Sequence, residues 1–411
     1  MRLTKIVALC ALSAPLSACG APTGPLTQLP EQLSTADQHL VQADNAFAFS
    51  LFREINRENP GDTNVFISPL SVAMALGMTW EGAAGATRDS MAHALSLDAL
   101  SVSEVNQAYR HVIDLLRGLD PNVTFTLANS IWYRQGYTPV AAFQDSTQRY
   151  FDAQIQGIDF SAPDAASTIN GWVSQQTAGK IPSIVPDPIP RDIVMYLIDA
   201  IYFKGAWTYR FDKRLTTDRP FALAGGGQVS VPTMASTGEM PVRVARDSGL
   251  TVIELSYGRE AYAMTIVLPD DAAGADALAT NITQEQWNGW IAALDSTSLP
   301  LRLPKFTLSY GLQLNDALKA LGMGTAFDPT VADFSNMFTN QNVFIDDVRH
   351  KTYLDVNEEG TEAAGATSVG IGLTSAPAEF AIDRPFLLAI RERLSGTILF
   401  LGKIGNPTAG N

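Results

Sequence analysis

The sequence predicts a single α+β domain. Helical periodicity fills its first third, strand-like runs dominate the rest, and no second linker interrupts the chain after residue 43. Hydrophobic residues make up 46% and charged residues 17%, a globular composition able to bury a large core.

The elements follow in chain order. "GAPTGPLTQLPEQLSTADQ" (20–38) is rich in Pro, Gly, Thr and Gln and reads as a flexible tether over 19–42. "NAFAFSLFREINREN" (45–59) has apolar residues at helical spacing and ends at Pro60. "NVFI" (64–67) is a short strand. Ser68 and Pro69 then open a helix, serine as cap and proline in its first turn. That helix, "LSVAMALGMTW" (70–80), is apolar nearly all round and should be buried.

"VSEVNQAYRHVIDLLRGL" (102–119) is amphipathic, "VTFTLANSIWY" (123–133) alternates as a strand does, and "AASTINGWVSQQT" (165–177) is helical. "IVMYLIDAIYFKGAW" (193–207) is a nearly continuous apolar strand, which predicts a sheet covered on both faces. Strands follow at "VSVPTM" (229–234), "TVIELSY" (251–257) and "AYAMTIVLP" (261–269), then a mixed helical stretch to about Leu294. "LRLPKFTL" (301–308) is a strand and "GLQLNDALKALG" (311–322) a helix ended by Gly322. "NVFIDDVRHKTYLDVNEEG" (342–360) is a long strand, and "RPFLLAIRE" with "GTILFLGKI" is a closing hairpin.

Charge and cysteines narrow the function. The formal net charge is −14, with no run of four or more Lys or Arg. That argues against nucleic acid, a polyanion site and polybasic membrane contact. Arg2 and Lys5 precede a short apolar stretch, "IVALCALSAPL", too short for a spanning helix. It ends in "LSAC", with Cys19 followed by Gly20. These residues resemble a bacterial lipoprotein box. The resemblance implies a signal peptide over 1–18, lipid on Cys19, and a place in the cell envelope outside the cytoplasm. The plainer alternative is an ordinary signal peptide with an incidental cysteine. With Cys10 in the leader and Cys19 lipidated, no disulfide is left for the fold.

Catalytic signatures are missing. The four histidines are His39, His93, His111 and His350, and no HExxH, cysteine cluster, Walker motif or GxSxG elbow accompanies them. A Ser/His/Asp triad leaves no local mark. The reading is a protein that is not an enzyme, with no metal and no cofactor.

Several blocks together resemble the serpin family over residues 43–407. They are "NVFISPLSVAMALGM" (64–78), "INGWVSQQTAGKI" (169–181), "AIYFKGAW" (200–207), "LPKF" (303–306), "EEGTEAAGAT" (358–367) and "DRPFLLAI" (383–390). The resemblance implies a three-sheet fold with about nine helices and an exposed reactive-centre loop, here about 358–382. It implies a monomeric inhibitor of serine proteases. The protease cuts the loop, is held as an acyl-enzyme, and is trapped as the loop enters the main sheet. The alternatives are a non-inhibitory serpin-fold binding protein and a cross-class inhibitor of cysteine proteases.

The loop sequence agrees with a later life as a strand. At period 2, Thr361, Ala363, Gly365, Thr367, Val369 and Ile371 would face inward, small first and apolar last, without charge. Glu362, Ala364, Ala366, Ser368, Gly370 and Gly372 would face outward. The hinge by resemblance is Glu358, Gly360, Thr361, Glu362, Ala363, Ala364, Gly365 and Ala366. Ser68, Ser71, Asp199 and His350 match the family's shutter beneath the sheet. Asp199 stands where asparagine is usual. Against His350, its charge is expected to raise the histidine pKa. Trp207, Lys305 and Glu358 match the breach where the loop first enters.

Seventeen positions inclusive from Glu358, the family's spacing, reach Thr374, and eleven back from Pro385 reach it too. The reactive bond is therefore expected at Thr374–Ser375, with Leu373–Thr374 as runner-up. A threonine there suits elastase-like proteases; Leu373 would suit chymotrypsin- or subtilisin-like ones.

Overall fold

The computed structural model describes residues 24–340, 342–361 and 379–410. A helical layer comes first in the chain. It holds α1 (Thr35–Glu58), β1 (Val65–Ile67), α2 (Pro69–Gly82), α3 (Gly85–Ala94) and α4 (Val102–Gly118). The first sheet then begins with β2 (Val123–Arg134), α5 (Ala141–Phe151), β3 (Gln154–Ile158), α6 (Ala165–Gln176) and β4 (Met195–Ala206). A run of strands follows as β5 (Thr217–Ala222), β6 (Gln228–Asp247), β7 (Leu250–Tyr257) and β8 (Tyr262–Pro269). The helices α7 (Gly274–Asn281) and α8 (Gln284–Ala292) lead to β9 (Asp295–Pro304) and β10 (Phe306–Gln313). The chain closes with β11 (Arg349–Asn357), β12 (Gly360–Thr361), β13 (Phe380–Ala381), β14 (Phe386–Glu392) and β15 (Ile398–Ile404).

Among the described residues, a ninth helical stretch runs through Asn315–Leu318, Lys319–Met323 and Gly324–Phe327. Gly322 does not end it. Its φ of 105° kinks the stretch, and a further turn follows.

The six-stranded sheet has the order β10-β11-β12-β4-β2-β3. The other strands form a continuous path, β1-β15-β14-β8-β7-β6-β9-β13, with β5 on β6. A register break between Ala235 and Glu239 divides this path. Before it, β6 pairs β5 and the end of β9; after it, β6 pairs β7 and the start of β9. The result is a three-sheet arrangement.

The main core lies between these layers. A second, smaller core lies outside β2 and β4, where Trp132, Tyr196, Ile198 and Ala200 meet Ile169 and Val173 of α6. Farther along β4, Ile201 and Phe203 face the main core instead. That two-sided burial explains the unbroken apolar run of this strand.

Three further sequence expectations are corrected. The predicted tether ends earlier than residue 42, because α1 begins at Thr35. Ser34 and Asp37 form a reciprocal capping box there. Upstream, the Leu26 N–H donates to the Arg259 carbonyl at 2.7 Å, and Leu26 and Leu29 pack on the core. "GLQ" (311–313) belongs to β10, and helix begins only at Asn315. Residues 343–348 are not strand. Val343 and Ile345 are buried, and the Ile345 N–H donates to the Ala326 carbonyl at 2.9 Å.

Candidate functional site

The end of β11 turns sharply into β12 and seats it between two longer strands. Thr361 pairs with Val356 of β11 and with Gly205 of β4, both antiparallel. Gly360, at φ 152°, lies so close to β4 that a Cβ would come within 2.0 Å of the Gly205 carbonyl oxygen. Only glycine fits there. Among the described residues, no rung joins β4 to β11 beyond Thr361. A slot therefore opens in the sheet directly below it.

Side chains far apart in sequence hold this entrance. Lys305 Nζ lies 3.0 Å from Glu358 Oε2, and the Thr216 hydroxyl donates to Glu358 Oε1 at 2.7 Å. Burial alone would push the Glu358 carboxyl up. The Thr216 hydroxyl and the Lys305 ammonium outweigh it, so the carboxyl sits below its ordinary value. Lys213 Nζ reaches the buried Glu359 Oε1 at 2.5 Å. The backbone is pinned as well: Phe211 N–H donates to the Glu358 carbonyl and Trp207 N–H to the Glu359 carbonyl. Trp207 Nε1 donates to the Asn357 carbonyl at 2.9 Å, and its ring stacks on Tyr257 at 4.4 Å between centroids. The Tyr257 and Thr361 hydroxyls share a hydrogen bond of 2.6 Å. Thr361 is thus buried on the core face already, in the uncut chain.

A second polar cluster lies beneath the sheet. The Ser68 N–H donates to His350 Nε2 at 2.9 Å, and the Ser68 hydroxyl donates to the Leu399 carbonyl at 2.8 Å. Ser71 N–H donates to the Ser68 hydroxyl at 3.4 Å. All three side chains are buried. Because Nε2 accepts, that nitrogen carries no proton. Burial lowers the His350 pKa to about 4. The expected rise is therefore corrected: desolvation sets this histidine. Asp199 sits on β4 opposite Asn129; its side chain is outside the described residues.

The structure thus brings Trp207, Lys305, Glu358, Gly360 and Thr361 to one place and Ser68, Ser71 and His350 to another. Glu362, Ala363, Ala364, Gly365, Ala366, Leu373, Thr374, Ser375 and Cys19 lie outside the described residues. Sequence reasoning missed Thr216, Lys213 and Tyr257. Each acts through long-range contacts and leaves no periodic signal. Among the described residues no acidic, His or Cys cluster suits a metal, and no helix is long and apolar enough to cross a membrane.

Comparison with known proteins decides the family. The description "Serpin (serine protease inhibitor)" matches residues 42–407. This chain belongs to the serpin family. A leukocyte elastase inhibitor of Xenopus laevis is 34% identical over 380 residues, covering 90% of this serpin and 100% of that protein. Iripin-4 of Ixodes ricinus is 36% identical over 378 residues, covering 90% and 95%. Among solved structures, human thyroxine-binding globulin in complex with thyroxine superposes with a TM-score of 0.83 at 28% identity, covering 91% and 100%. The thermophilic serpin tengpin in its native state gives 0.80 at 28%, covering 93% and 97%. The relatives include protease inhibitors, and the α+β serpin fold is shared throughout.

Proposed function

We propose that this serpin inhibits serine proteases as a suicide substrate, trapping the acyl-enzyme when its cut loop enters the slot between β4 and β11. The observation that carries the reading is the register of β12. Thr361 stands between Val356 and Gly205. Continuing that register sets Ala363 between Leu354 and Phe203, and Gly365 between Thr352 and Ile201. It sets Thr367 between His350 and Asp199. Leu354, Thr352 and His350 are the buried members of an alternating strand. The inward loop positions are small and uncharged, which suits that face. Outward, Glu362 would lie beside Asp355 and Lys204, which are half-buried.

The scissile bond in this reading is Thr374–Ser375. The similarity to leukocyte elastase inhibitors supports an elastase-like target. In the same reading the protein is held on a bacterial envelope by lipid on Cys19; the resemblance of "LSAC" (16–19) to a lipoprotein box supports this. Incubation with an elastase should give a complex that survives a denaturing gel. Mass spectrometry should find a released C-terminal peptide beginning at Ser375. Cleavage without complex would contradict inhibition, and a peptide beginning elsewhere would contradict the bond.

A further inference from the structure

The slot below Thr361 is not open to solvent. The turn after α6 crosses it. Thr177 caps α6, and a tight turn follows with Ala178 at φ 50° and Gly179 at φ 79°. The Gly179 N–H donates to the Ser174 carbonyl at 2.7 Å and the Lys180 N–H to the Thr177 carbonyl at 2.9 Å. Lys180 is thereby fixed over the sheet. Its ammonium lies 4.9 Å from the centre of the Tyr353 ring on β11. Two residues away on the same face of β11, Lys351 Nζ donates to the Ser183 carbonyl of the covering segment at 3.1 Å. Each lysine thus bridges cover and strand, in opposite directions. Just beyond Thr361 the cavity lined by Lys180, Tyr202 and Tyr353 measures about 10 Å³, room for one water at most.

We propose that the Lys180–Tyr353 and Lys351–Ser183 contacts form a clasp that sets the rate at which the loop enters the sheet. The proposal rests on the insertion reading above. In that register Ala364 comes to lie beside Tyr353 and Tyr202, and Ala366 beside Lys351 and Ala200. Both contacts stand in the path of the incoming strand, on its outward side. The Lys180–Tyr353 contact is half-buried, the Lys351–Ser183 bond is exposed, and each is individually weak, so they open one at a time and slow entry without blocking it. Alanine at 364 and 366 is small enough to pass under the cover.

The test needs no protease. A synthetic peptide of sequence EAAGATSVGIGL, residues 362–373, is added to the uncut protein, and the rate of its uptake is measured. Lys180→Met keeps the aliphatic stem and removes the cation; it should take up peptide about tenfold faster. Tyr353→Leu should act likewise, and the double variant should gain little more, because the two residues share one contact. Lys180→Arg, which still sits on the ring, should stay near wild type. Melting temperatures should be alike in all four variants, which separates a clasp from general loosening. Equal uptake rates in wild type, Lys180→Met and Tyr353→Leu overturn the clasp alone. A wild-type protein that takes up no peptide overturns the insertion reading and the clasp with it.

Discussion

At the residue scale, two buried groups oppose each other in acid. His350, held neutral by burial, has its pKa lowered from 6.5 to about 4. Asp44 of α1 is buried against the Tyr109 hydroxyl, which donates to it at 2.9 Å, and burial raises its pKa from 3.8 to about 7. Between about pH 4 and 6.5 the unfolded chain carries a proton on His350 and none on Asp44. The folded chain carries one on Asp44 and none on His350. Their proton counts match, so together they leave stability flat in that window. Asp44→Asn removes one side of the balance. The unfolded state of the variant then binds the extra proton, and its stability should fall as pH falls from about 6.5 toward 4. The added slope is about 1.4 kcal/mol per pH unit relative to wild type, on the order of 3 kcal/mol in all. Urea unfolding of both proteins at several pH values checks it; parallel curves would sink the idea.

At the element scale, β12 is two residues long and owes its seat to Gly360. Gly360→Ala forces a methyl against the β4 backbone and imposes a backbone angle that costs alanine about 1–3 kcal/mol. The variant should release β12, break the Tyr257–Thr361 bond and lose hydrogen-exchange protection at the Thr361 amide. Unchanged protection there would refute this account of the hinge.

The same elements show what sequence alone conveys. The cap at Ser68, the buried α2 and the two-sided burial of β4 were legible because each rests on a local pattern. The start of α1 was not: its capping box lies inside a Pro- and Gln-rich run that reads as tether. Residues 343–348 look like strand because Val343, Phe344 and Ile345 form a short apolar, β-rich run, yet the Ile345 N–H bonds the Ala326 carbonyl of the helical stretch rather than a neighbouring strand. Glu358 and Lys305 were nameable through the family resemblance. Lys213, Thr216 and Tyr257, which complete the same entrance, depend on how β4, β7 and the turn after Trp207 converge.

At the scale of the whole molecule, β12 parts β4 from β11 at the entrance of the six-stranded sheet, and the proposed function extends that two-residue strand between them. Its first pair of residues is already seated, and the loop that would supply the rest begins directly after them. Thr361 is the inward-facing member of that pair, bonded to Tyr257 among buried side chains. Thr361→Arg would place a guanidinium there with no counter-charge, at a cost of several kcal/mol. The strand should then fail at its first step while the scissile bond stays available. Glu362→Arg, one residue on and facing outward, controls for damage to the loop. The deciding measurement is the fraction of protease held in covalent complex on a denaturing gel. Thr361→Arg should be cleaved at the same bond with little complex, and Glu362→Arg should trap protease nearly as well as wild type. Equal trapping by both variants would contradict insertion at this slot.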